Sequence, residues 1–224
     1  MMTTDRLVQQ LAARLEPVEP LRPPGRRTAT FMLGATLYVA LLTLVIARPG
    51  AAGRGADLAI LIPQLVALAA SLLVVHAAFA SVVPGHERPT LAWAALAVVA
   101  WIGALAVTSL GTSAARGTVL AAGHELWCVA VILLGGAPLV AVLAAMLRRG
   151  APLNPIGTAT LGAVAVGSLA NVAACIWAPH QSGPTAVVWH GGAILLLVLA
   201  CAAGAPFVLT WRAARRAPGE ATRS

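Results

Sequence analysis

The chain has 224 residues, of which 59% are hydrophobic and 10% charged, with a net charge of +8. A soluble domain of that composition could not cover its surface with polar groups, so the sequence reads as a polytopic membrane protein. The basic balance does not point to nucleic acid: the positive charge is all arginine and falls in short segments between apolar runs, which is the pattern of membrane topology. Three cysteines in a chain of this length are not a disulfide scaffold.

The first element is amphipathic. In TTDRLVQQLAARLEPVEP, Leu7, Val8, Leu11 and Leu15 form an apolar stripe, with Arg6, Gln9, Gln10 and Arg14 over much of the remaining surface. Thr3 or Thr4 can cap the start and Pro17 limits the continuation, so the pattern predicts a helix of about twelve residues, marginal alone in water. Its stripe calls for burial in the groove of a protein partner or on the bilayer surface. The segment is not a signal peptide, because the first apolar run starts near Thr28, after a polar stretch holding Pro17, Pro20, Pro23 and Pro24.

A membrane helix needs roughly 20 apolar residues. Six runs qualify, at 28–47, 57–83, 89–110, 124–147, 155–178 and 185–211. Residues 1–27 are then a polar tail, 28–211 a transmembrane domain and 212–224 a basic tail. The expected fold is all-α, a six-helix transmembrane bundle. Of the 15 arginines, only Arg48, Arg54 and Arg116 fall on the side away from the termini, so both termini are expected in the cytoplasm. Small residues crowd the spans, as in GAVAVGSLANVAA, which lets helices approach closely and would permit a homodimer.

The fourth run opens with GHELWC. Cys128 lies four residues past His124, roughly 6 Å down the helix, and the two share a face. Cys175 lies three residues before the outer end of the fifth run, roughly 4–5 Å deep on the antiparallel neighbour. His180 follows in the outer loop, and His190 is shallow in the sixth run. These five residues are the candidate site. Thiolate and imidazole suit copper, zinc and similar soft ions, and two thiols at one depth can also be oxidised to a disulfide. Cys201 lies too far along the sixth run, roughly 24 Å, and is expected to pack. His76 is expected to pair with a neighbouring helix or to snorkel. The chain contains no phosphate loop, GxSxG or HExxH, and its spans carry almost no charge, which argues against an enzyme or a proton-coupled pump.

Four stretches in order, LVQQLAARLEPVEPLRPP, GHELWC, MLRRGAPLNP and VVWHGGA, resemble the NrsF family of membrane-bound anti-sigma factors. The resemblance implies a multi-pass protein of the bacterial inner membrane that is not an enzyme and needs no cofactor. It also implies that the tail and neighbouring inner loops hold an extracytoplasmic-function sigma factor at the bilayer, without contacting nucleic acid directly. Leu7, Val8, Leu11, Arg14 and Leu15 become the expected partner-binding stripe. Cys128 and Cys175 match the pair through which metal or oxidative stress is expected to release the sigma factor. One departure is Trp127, where members of the family often carry histidine. The rival readings are a small metal or solute transporter, which needs further ligands along a path through the bundle, and a membrane thiol-redox protein.

Overall fold

The computed structural model describes residues 8–9, 12–13, 21–46, 58–83, 87–113, 122–177 and 183–209. Six long helices dominate them: α1 (Pro24–Ile46), α2 (Leu58–Ala80), α3 (Glu87–Ser113), α4 (Ala122–Arg148), α5 (Pro155–Trp177) and α6 (Gly183–Val208). Each is long and apolar enough to cross a membrane. The chain is therefore an all-α bundle of six apolar helices.

Several helix ends differ from expectation by a few residues, those of α1 and α6 among them. α1 starts at Pro24, before the predicted Thr28. Proline suits the first helical position, where its missing N–H has no intrahelical partner to lose. Thr28 then donates to the Pro24 carbonyl (2.9 Å) and Thr30 to that of Arg26 (2.9 Å), so Arg26 and Arg27 belong to the helix rather than to the polar segment before it. α6 ends at Val208, short of the predicted 211, and Leu209 still donates to the Ala205 carbonyl at 2.8 Å.

α5 is the axis of the bundle. It packs against α1, α2, α4 and α6, while α3 leans on α2 and α6. The reason lies in its side chains. In lipid no hydrophobic force drives apolar helices together, so close packing of small residues has to do it. Ala163, Ala165, Ser168, Ala170, Ala173 and Ala174 are all buried. At Gly167 a Cβ would stand 2.9 Å from Ile194 Cγ2, so only glycine lets α6 come this near. The outer helices instead turn leucines outward, such as Leu33, Leu37 and Leu44 of α1.

Hydroxyls add a polar seam between α2 and α5. Ser71 and Ser168 are hydrogen-bonded at 2.6 Å, and Ser81 and Thr158 at 2.9 Å. The turn from α4 to α5 is tight and defined. Gly150 donates to the Leu147 carbonyl (3.0 Å) and Ala151 to that of Arg148 (3.2 Å). Ala151 adopts φ 46°, the left-handed conformation that usually ends a helix at glycine. Asn154 then caps α5, its Oδ1 accepting from the Gly157 N–H at 2.9 Å, with Pro155 as the first helical residue.

Alternating helices give the bundle two distinct ends. One collects the starts of α1 and α5 and the ends of α2 and α4, with Arg26, Arg27, Arg148 and Arg149. The other carries Cys128 and Cys175.

Candidate functional site

At the thiol end, four helices bring polar side chains into one buried cluster. α5 contributes Asn171 and Cys175, four residues apart and so on one face. α6 contributes His190, α4 contributes Cys128, and α2 contributes Gln64, next to Pro63 inside the helix. Cys128 is 0% exposed, Asn171 1%, His190 5% and Gln64 7%.

Asn171 is the hub. Its Oδ1 lies 2.7 Å from His190 Nδ1 and 3.7 Å from Cys175 Sγ. An amide oxygen only accepts, so His190 Nδ1 carries the proton and Nε2 presents a lone pair. Cys175 Sγ is also 3.7 Å from His190 Nδ1. The Gln64 side chain is a further hydrogen-bond partner of Cys175, and Cys128 is close enough to act on that thiol electrostatically. None of the three cysteines is in a disulfide.

Three atoms of the cluster have no hydrogen-bond partner among the described residues: Gln64 Oε1, Asn171 Nδ2 and His190 Nε2. In the bilayer interior each unsatisfied polar group costs several kcal/mol, on the order seen for burial without a hydrogen bond. Among the described residues, two acceptors and one donor are thus left open beside two thiols. Among the described residues, no group of three or more His, Cys, Asp or Glu side chains is already arranged to hold a metal ion.

The structure thus brings together Cys175 and His190, with Cys128 beside them. His124 lies in the first turn of α4, but its side chain, like all of His180, lies outside the described residues. So do Leu7, Leu11, Arg14 and Leu15. Of the tail stripe, Val8 is described: its backbone is helical, its side chain is exposed, and nearby the Ala13 N–H reaches the Gln9 carbonyl at 2.9 Å. Cys201 is remote from the cluster. It lines an apolar cavity of about 270 Å³ with Leu143, Leu147, Gly162 and Gly204, towards the arginine end. His76 meets Thr28 of α1, its Nδ1 3.4 Å from the hydroxyl. Asn171 and Gln64 were missed by sequence reasoning. The available signal was an uncharged amide within an otherwise apolar span, which is costly unless it is used.

A six-span bundle with a thiol, imidazole and amide cluster in its core defines a membrane-embedded protein built around a buried polar site. Residues 11–211 match the sequence family described as NrsF, negative regulator of sigma F, and the chain belongs to that family. Its members are non-catalytic regulators linked to a sigma factor and held in the bacterial inner membrane by multiple spans. No curated protein and no solved structure matches the chain.

Proposed function

We propose that the protein holds an extracytoplasmic-function sigma factor at the inner membrane through its N-terminal segment and releases it when the thiol cluster is engaged. The regulatory role follows from family membership. The observation that carries the sensing half is the set of atoms around Cys175 and His190 that have no partner among the described residues. In this reading both termini face the cytoplasm, as the arginine distribution favours, and the cluster lies towards the periplasmic face. The stripe Leu7, Val8, Leu11 and Leu15, with Arg14 at its edge, seats in an apolar groove of the sigma factor.

Two signals suit the cluster. A soft ion such as copper or zinc would be held by the Cys128 and Cys175 thiolates and by His190 Nε2. Asn171 supports that role, because a carbonyl on the second ring nitrogen is how ligating histidines are usually oriented. An oxidant would instead take two electrons and two protons from the thiols and leave a disulfide. Either event would draw α4 towards α5 and α6, because among the described residues three metal ligands are not yet gathered and the thiols are not yet bonded to each other. α4 and α5 are joined at the other end by the tight Arg149–Asn154 turn, so a shift at the thiols is handed on to the arginine end. Moving a switch from 1:99 to 99:1 requires about 5.5 kcal/mol of differential binding, which a thiolate metal site can supply.

The test is a reporter for the released sigma factor in the host, comparing wild type with a Cys128→Ser, Cys175→Ser double variant. The double variant is expected to keep the reporter silent under soft-metal and oxidant stress. Normal induction in it would remove the thiols from the mechanism. Flux of metal into proteoliposomes would favour transport instead, and catalytic turnover with a reductant would favour a thiol-redox protein.

A further inference from the structure

The first turn of α1 contains a buried arginine at the end of the bundle opposite the thiols. Arg27 is 7% exposed. Its guanidinium donates through one NH2 to the Met146 carbonyl and lies 4.5 Å from the centre of the Phe79 ring. It thus binds α4 and α2 at once. The next residue, Thr28, faces His76 of α2.

The Met146 carbonyl is in the last turn of α4. The last four carbonyls of a helix have no N–H from their own helix, and they carry its negative dipole end. Two are closed locally, Leu147 by Gly150 and Arg148 by Ala151. Met146 is capped from another helix, by Arg27. α1 and α4 otherwise meet only sparsely, so this contact dominates their junction.

We propose that Arg27 is a positioning residue, a latch that fixes the first turn of α1, and the segment preceding it, to the end of α4. The latch rests on the reading of that segment as the sigma-binding tail. Three observations support it. First, burying a guanidinium is costly, and here its partners among the described residues are a carbonyl and an aromatic face rather than a carboxylate. The nearby like charge of Arg149 adds to the cost. Such a hold is firm but releasable. Second, α4 carries Cys128 towards one end and Met146 at the other, about 27 Å apart at helical rise. Pro138 lies between them, and its missing N–H leaves a weak point in the helix ladder at which the two halves can change angle. Third, α1 begins at Pro24 directly after Pro23. Prolines stiffen a connection, so a displaced first turn moves the tail instead of being absorbed. Engagement of the thiols tilts α4, the Met146 carbonyl leaves Arg27, and the tail loses its capturing geometry.

The test uses the full-length protein in lipid nanodiscs, with spin labels on non-natural side chains at Leu21 and Leu153, so that the native thiols stay in place. Both positions are exposed. Wild type is expected to give one narrow distance distribution. Arg27→Gln and Phe79→Leu are expected to broaden and shift it. Arg27→Lys should do so as well, because an ammonium has neither the planar face for Phe79 nor the fork for the carbonyl. In the same discs, Arg27→Gln should weaken capture of the sigma factor on the order of tenfold, within the usual range of coupling factors. Binding of a synthetic peptide covering residues 1–20 serves as the reference, since the peptide never had the latch. Phe79→Leu retains the arginine and a side chain of similar bulk, so it keeps the test valid if Arg27→Gln does not fold. Unchanged distances in both variants overturn the latch. Altered distances with undiminished capture overturn its regulatory role. If the wild-type protein and the peptide both fail to bind the sigma factor, the reading of the tail falls, while the distances still report whether Arg27 ties α1 to α4.

Discussion

His190 Nδ1 and Asn171 Oδ1 lie 2.7 Å apart between α6 and α5, and this one hydrogen bond decides which ring nitrogen of the histidine is free. The free Nε2 is buried and, among the described residues, without a partner. The bond also joins the two helices at the level of Cys175, whose thiol shares the same amide oxygen.

Replacing Asn171 with leucine removes the acceptor while keeping roughly the same volume. His190 is then expected to lose its fixed tautomer, and Cys175 its amide partner. A thiolate-to-cadmium charge-transfer band, titrated on purified protein, should appear only at metal concentrations at least about tenfold higher, the usual cost of losing a partner that orients a ligand. Equal titration curves for wild type and Asn171→Leu would remove the amide from the site.

Gly150 faces Val82 so closely that a Cβ would stand 2.0 Å from its Cγ1. Gly150→Ala is expected to destabilise the bundle by about 1–3 kcal/mol, the usual range for overpacking. Val82→Ala in the same chain should recover much of that loss. Thermal unfolding of the two single variants and the double variant in one detergent measures the coupling. Additive effects would mean that the turn and the end of α2 are not in contact.

Ala151 has φ 46°, a conformation that costs a non-glycine residue about 1–2 kcal/mol. Ala151→Gly should therefore raise the midpoint of thermal unfolding, and Ala151→Val should lower it. An unchanged or lower midpoint for the glycine variant would contradict the strained turn.

Ser71 and Ser168 share a 2.6 Å hydrogen bond inside the α2–α5 seam. Hydrogen bonds between membrane helices average about 0.6 kcal/mol, so each single alanine variant should cost little and the double variant scarcely more than one of them. A large, fully additive loss in unfolding measurements would show that the hydroxyls act separately.

The six helices were legible because each span is an apolar run of membrane-crossing length, a signal independent of what the helix touches. The start of α1 was less legible. Arg26 and Arg27 read as a polar tail because arginine usually marks the water side, whereas Pro24 begins the helix and Phe79 with the Met146 carbonyl shelters Arg27. Cys128, Cys175 and His190 could be matched in depth by counting residues along antiparallel helices. Asn171 and Gln64 could not be chosen that way, since depth does not tell which face of a helix meets its neighbours. The centrality of α5 is hinted at by its glycines and alanines, but only the packed bundle shows Gly167 against Ile194.

The most direct test of the central claim is capture of the partner. Full-length protein, and a version lacking residues 1–20, would be purified by affinity from host membranes in mild detergent, and the co-purifying proteins identified. A sigma factor is expected with the full-length chain and not with the shortened one. Its absence from both, with both present in the membrane at equal levels, would contradict sequestration by the tail.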